Sequence, residues 1–146
     1  MKKGSLAASG MTVLCVLLMG SVAYGFDPAD LNRLVATGEC ARCDLSGANL
    51  SGLVLNGKDL VGANLSGANL AGANLSGTDV NGANLAGANL NGAVLKGTDL
   101  SGTDLTGTDL SGTDLTGTDF SGAKLDNASW TDGQTCSPGS IETCNQ

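Results

Sequence analysis

Histidine is missing from all 146 residues. Its absence removes Ser-His-Asp and Cys-His catalysis, imidazole metal sites and covalent c-type haem attachment. The last would need a His after Cys40-Ala41-Arg42-Cys43, where Asp44 stands. Aromatic residues are almost as scarce, with two Phe, one Trp and one Tyr. An ordinary core of mixed large side chains cannot be built from them. Lys and Arg number seven against fourteen Asp and Glu. Direct nucleic-acid binding is disfavoured, because affinity for phosphates rests on Lys and Arg. The many Ser and Thr follow a repeating pattern, with no distinguishable base beside any one of them. The chain is therefore expected not to be an enzyme, and no cofactor is expected.

What is present is leucine at every fifth residue. The column runs Leu45, Leu50, Leu55 and so on to Leu125, with only Val80 and Phe120 departing from Leu among its seventeen positions. Glycine keeps step two residues later, from Gly47 to Gly122. Ala or Thr usually sits two before the Leu, and Asn or Asp one before it. This period is neither that of a helix nor that of a strand. It means that the chain turns the same way after each pentad, which makes the fold a solenoid. Disorder is disfavoured despite the 23 Gly, since disordered chains lack evenly spaced large aliphatics. Collagen needs Gly at every third residue. Each pentad can form a short extended side and a turn, with Gly at the third position of a type II turn. Four sides would close a coil, with the Leu and the small residue two before it pointing inward. Leu65, Leu70, Leu75, Leu85, Leu90, Leu105 and Leu110 are the expected heart of this core. At roughly 1.5–3 kcal/mol per buried Leu, the column can sustain a narrow rod.

Residues 1–25 read as an export signal. Lys2 and Lys3 form a basic start, and Met11 to Ala23 is an apolar stretch of signal-peptide length, too short to span a bilayer comfortably. Ala23-Tyr24-Gly25 supplies small residues at the two positions a signal peptidase reads. Cleavage is expected after Gly25, which leaves Phe26 as the new N-terminus. A lipid-anchored Cys15 is disfavoured because bulky Leu14 precedes it; an uncleaved anchor is the other alternative. Removal of the segment leaves five basic and fourteen acidic residues, a formal net charge of −9. It also turns five cysteines into four, namely Cys40, Cys43, Cys136 and Cys144. An even count is what disulfides in an oxidising compartment require. The expected location is periplasmic or extracellular.

Residues 26–42 read as a helical cap. Asp27 suits an N-cap, Pro28 the first helical position and Asp30 the first turn. Leu31, Leu34 and Val35 give one apolar face, and Gly38 a stop. Such a lid would cover the open first coil.

The motif Ala-(Asn/Asp)-Leu-x-x, as in Ala63-Asn64-Leu65-Ser66-Gly67 and Ala68-Asn69-Leu70-Ala71-Gly72, resembles the signature of the pentapeptide repeat family over residues 43–130. The resemblance implies a right-handed quadrilateral β-helix. Seventeen units give a little over four coils, and a rod about 20 Å long at the spacing of neighbouring strands. Leu53 and Lys58 occupy small-residue positions, so the first coil is expected to be wider or irregular. From Thr98 to Asp119 the pair becomes Thr-Asp five times, which adds hydroxyls that need partners and predicts slight expansion. Trp130 falls on the Leu register and is expected to cover the last coil. Residues 131–146 resemble a C-terminal cap of exported family members.

Cys43 and Cys136 should stand near opposite ends of the rod, beyond the ~7 Å a disulfide allows between Cα atoms. Pairing is therefore expected to be local, Cys40 with Cys43 and Cys136 with Cys144, and a four-cysteine zinc site is disfavoured. The Cys40–Cys43 spacing matches a redox motif. Such a motif needs a scaffold and helix N-terminus that lower a thiol pKa; neither is predicted, so a structural staple is preferred.

Residues twenty apart should stack, which places Asp59, Asp79, Asp99 and Asp119 in one column. They are the candidate cation face, the sole metal suggestion the sequence makes. The same column could meet a basic partner, or merely bond to turn backbone and keep the rod soluble. No other face is acidic throughout: one carries Asp44, Asn64, Asn84 and Asp104, and the others start at Asn49 or Val54. The functional expectation is an exported, non-enzymatic scaffold or binding module whose partner is a protein or envelope component. The alternative comes from the resemblance. Some cytoplasmic family members protect DNA gyrase with an acidic rod that resembles duplex DNA. An export signal argues against that role.

Overall fold

A computed structural model describes residues 25–146. The expected export segment lies outside the described residues except for Gly25. The one helix among them, α1, spans Pro28–Thr37. The Asp27 carboxylate accepts the Ala29 N–H at 2.8 Å. Pro28 fills the first turn, where a missing N–H costs nothing. Gly38 ends the helix at φ 78°, and its N–H bonds to the Leu34 carbonyl. Leu31 and Leu34 are buried and join the core of the rod.

From Glu39 onward the backbone pairs in parallel with the residue twenty positions later. Pairs occur every fifth residue, which makes the coil four-sided. Three bonds hold each unit to the next coil. The Leu65 N–H donates to Asn84 at 2.7 Å, the Gly67 N–H donates to Ala86 at 2.9 Å, and the Asn84 N–H donates back to Ala63 at 2.9 Å. A fourth closes the corner, from the Ala68 N–H to the Leu65 carbonyl at 3.0 Å. A polar backbone can thus sit against a dry core without orphaned groups. Gly82, at φ 64°, shows why the corner selects Gly, since a Cβ is strained there. Arg42 holds the equivalent corner of the first coil at φ 59°.

All seven predicted core leucines are at most 3% exposed. The inward Ala and Thr positions are buried beside them, except that Thr118 is half-buried. The first coil differs from expectation. Leu53 and Lys58 are half-buried, yet their pairing continues without interruption, with corner bonds of 3.2 Å. The Lys58 stem escapes along Gly38. A Cβ at Gly38 would lie 2.3 Å from Lys58 Cδ. An absent side chain in the cap therefore makes room for an oversized one in the coil.

All but one of the inward threonine hydroxyls find their partners in the preceding coil; Thr113 donates to Leu110 of its own coil at 2.7 Å. Thr78, Thr98 and Thr108 donate to the carbonyls of Leu55, Leu75 and Leu85, each at 2.7 Å. Bonds between coils lengthen slightly there, to 3.1 Å from the Asp99 N–H to Thr78 against 2.9 Å from the Asn89 N–H to Ala68. The expected expansion is thus small. Thr108→Val keeps the shape and removes the buried donor. It should destabilise the rod by about 1 kcal/mol, read from urea unfolding. Ser111→Ala, at an outward position whose N–H rather than hydroxyl bonds Asp109, should stay within about 0.5 kcal/mol of wild type.

At the far end the tail covers two of the four sides. Ile141 pairs antiparallel with Lys124, and Thr135 with Ser129. Trp130 is half-buried against Phe120, with ring centroids 5.6 Å apart. It covers part of the last coil, while the tail covers the remainder of the sides at Lys124 and Ser129. Among the described residues no helix is long and apolar enough to cross a membrane.

Candidate functional site

The outward side chains lie on four faces. The first carries Asp44, Asn64, Asn84, Asp104 and Lys124; the second Asn49, Asn69, Asn89, Asp109 and Ser129. The third carries Val54, Asn74, Val94 and Asp114. The fourth contains the predicted column, in which Asp59, Asp79, Asp99 and Asp119 pair in sequence. It begins one rung earlier than the sequence reading placed it, because Glu39 pairs with Asp59. The missed signal was the position of Glu39, twenty before Asp59, with Cys40 standing on the Leu register.

Each rung capped by Asn or Asp carries the same local bond. A side-chain oxygen accepts the N–H two residues on: Asp59 from Val61 at 3.0 Å, Asp79 from Asn81 at 3.1 Å, Asn84 from Ala86 at 3.0 Å. Asx turns of this kind need only an acceptor. Asn supplies it as well as Asp does. The fold therefore explains why these positions are Asn or Asp, and leaves the charge of the fourth face unexplained. Carboxylates one strand spacing apart, ~4.8 Å, repel by about 1 kcal/mol per adjacent pair in water. The carboxylates form a line rather than a cage. Among the described residues no group of three or more His, Cys, Asp or Glu could hold a metal ion.

At several rungs where the residue after the Leu is Ser or Thr, its hydroxyl adds a second bond, as at Ser46, Ser66, Thr116 and Ser121. The Thr106 hydroxyl and then its N–H hold Asp104 below the ordinary 3.8, helped by Lys124. The Ser121 hydroxyl followed by its N–H does the same for Asp119, and Thr116 for Asp114. Ser46 lowers Asp44 in the same order. A depressed folded-state value means these groups stabilise the fold above the unfolded pKa and lose that contribution as pH falls through the folded one. The melting temperature should therefore hold from neutral pH to about 3.8 and drop below it. Calorimetry across pH 2–7 checks this range, set by ordinary carboxylate titration, roughly.

The cysteines meet as local pairs. Cys40 and Cys43 lie at disulfide distance, with Cα atoms 5.2 Å apart, and so do Cys136 and Cys144 at 5.0 Å. Register explains the first pair. Cys40 takes the Leu position and Cys43 the next small position, which meet inside one corner; the Cys43 N–H bonds to the Cys40 carbonyl at 3.1 Å. Both are fully buried. Arg33 donates toward Cys43 Sγ at 2.8 Å and pairs with Asp30 at 3.0 Å. The other Asp30 oxygen accepts the Asp44 N–H at 2.8 Å. Asp30 therefore docks α1 onto the first coil, beyond its expected place at the helix start.

A narrow four-sided solenoid with an apolar axis and a lid at the N-terminal end is the class these features define. The family model for pentapeptide repeats matches eight copies over residues 43–82, 81–117 and 95–132. The chain belongs to the pentapeptide repeat family, whose solved members are right-handed quadrilateral β-helices. It is similar to the pentapeptide repeat protein Rfr23 of the cyanobacterium Cyanothece 51142, at 31% identity over 70% of this chain and 97% of that one, with a TM-score of 0.44. A pentapeptide repeat protein of Nostoc is 31% identical over 74% of this chain and 84% of its own, with a TM-score of 0.34. One from the thylakoid lumen of Arabidopsis thaliana is 27% identical over 79% and 76%, with a TM-score of 0.32. Among curated proteins none matches this chain.

Proposed function

We propose that the protein is an exported, non-enzymatic scaffold or binding rod, and that its fourth face meets a basic protein or envelope component. One observation carries this reading. The fourth face is acidic from Glu39 to Asp119, although Asn at the same positions would make the same turns. A carboxylate row on a rigid support attracts a cationic partner over a screened distance of about 8–10 Å. Four of the five cysteines stand at residues 40–144 and meet as local pairs at both ends, which supports an oxidising location. Protein recovered from its native compartment should begin at Phe26 and carry both disulfides.

The experiment is capture from envelope extract with the chain that starts at Phe26. Its comparison is a variant with Asp59, Asp79, Asp99 and Asp119 changed to Asn, which keeps every turn bond. A salt-sensitive partner held by wild type and lost by the variant supports the reading. Equal capture by both overturns the role of the face. The same charge row also suits the second reading, an acidic DNA mimic that inhibits a nucleic-acid enzyme such as gyrase. A full-length cytosolic chain that blocks supercoiling in vitro would establish it instead.

A further inference from the structure

The tail leaves two sides of the last coil open, at Asp114 and Asp119. In the body of the rod the N–H after each outward residue donates to the next coil; the Leu95 N–H reaches Asp114 at 2.9 Å and the Leu100 N–H reaches Asp119 at 2.8 Å. One coil later the Leu115, Gly117 and Phe120 N–H groups reach no acceptor among the described residues, and the Thr113 and Thr118 carbonyls receive no donor. Leu115 and Phe120 are half-buried where their counterparts Leu95 and Leu100 are fully buried. This is a strand edge whose apolar floor is formed by Leu115 and by Phe120, the latter packed on one flank against Trp130. Exposed edges invite pairing unless something blocks them.

Charge narrows the occupant. Where the rod continues on its own, Lys124 follows Asp104 and Ser129 follows Asp109, so no acid lies under the last Asp of either covered side. The open sides end in Asp114 and Asp119, both exposed. A second copy meeting this edge in antiparallel fashion would set Asp114 against Asp114, or Asp119 against Asp119. Like charges directly opposite are destabilising. The tail itself shows that an extended antiparallel segment can seat on this end.

We propose that the open half of the C-terminal end is a strand-docking site for an extended segment of a basic partner polypeptide. Its backbone pairs with Leu115 and, after a bend at the Gly117 corner, with Phe120; its apolar side chains cover theirs, and its Lys or Arg side chains stand under Asp114 and Asp119. This deepens the binding reading given above and rests on it. Main-chain bonds supply the grip and the alternating side chains supply the selectivity.

The test uses the isotopically labelled chain from Phe26 and two peptides of about nine residues that keep the five-residue spacing of the rod, one with Lys and one with Glu beside each of two Val residues five apart. Amide resonances and hydrogen exchange are followed during titration. The Lys peptide should shift and protect the Leu115, Gly117 and Phe120 amides, and should bind at least about tenfold tighter than the Glu peptide. Asp114→Asn with Asp119→Asn keeps both turns and should remove that preference. Leu115→Pro removes a donor that the rod itself does not use, as edge positions tolerate, and should weaken both peptides. Silence at those amides up to millimolar peptide overturns the proposal. So do shifts spread along Asp59, Asp79 and Asp99, or a peptide-free dimer that protects the same amides. If envelope capture succeeds while this end stays silent, the binding reading stands and the docking site falls.

Discussion

Leu85→Asp should unfold the rod. Leu85 is 2% exposed, and the register sets Leu65 one coil before it and Leu105 one coil after it. The residues stacked with it in the column are buried leucines rather than basic side chains, so the new carboxylate would have no partner. Loss of the Leu side chain costs about 2–5 kcal/mol. An uncompensated buried charge adds several more, roughly 3–5 kcal/mol. Domains of this size have about 5–15 kcal/mol in total. The β-type circular dichroism should therefore be lost at room temperature. Ser66→Asp, at an outward corner, should keep the signal and melt within a few degrees of wild type. Equal stability of the two variants would rule out the inward column.

Cys136→Ser combined with Cys144→Ser should loosen one end and spare the other. The two cysteines are eight residues apart, and closure of a loop of that length is worth roughly 2–3 kcal/mol in the chain-entropy account. The Cys136 N–H bonds to the Ala128 carbonyl at 2.8 Å, and the Leu125 N–H to Ser140 at 2.8 Å. Both bonds belong to the tail that closes the last coil. A solenoid transmits little beyond its nearest neighbours, so the damage should stay local. Exchange at the Leu125 amide should quicken by about 30-fold or more, the factor that 2 kcal/mol represents. Leu65, three coils away from the tail, should be almost unaffected. Uniform acceleration along the rod would instead mean that it melts as one unit.

The acidic face illustrates how a local bond can hide a functional question. Asp59 and Asn84 make the same turn bond. Turn chemistry therefore accounts for the residue pair at this position and is indifferent to the choice within it. The charge was visible in the sequence, while its lack of a structural requirement became visible only when both residue types were seen in the same bond.

The pentad pattern was enough to determine the solenoid, the inward Leu column and the Gly corners, because each depends on residues within one or two turns of one another. Asp27, Pro28 and Gly38 announce α1 for the same reason. Stacking by twenty also follows from the sequence once four sides are assumed, and it placed Asp59 above Asp79. Tertiary structure decided what depends on contacts outside the repeat. It turned the Lys58 stem along Gly38, where sequence reasoning expected a distorted coil, because the space belongs to a different element. It seated Asp30 on the Asp44 N–H and gave Thr78, Thr98 and Thr108 carbonyls in the preceding coil. It also showed that the tail closes two sides at Lys124 and Ser129 and leaves Leu115 and Phe120 at an open edge. A repeat fixes how each coil receives the next, and it carries no information on where that series stops being covered.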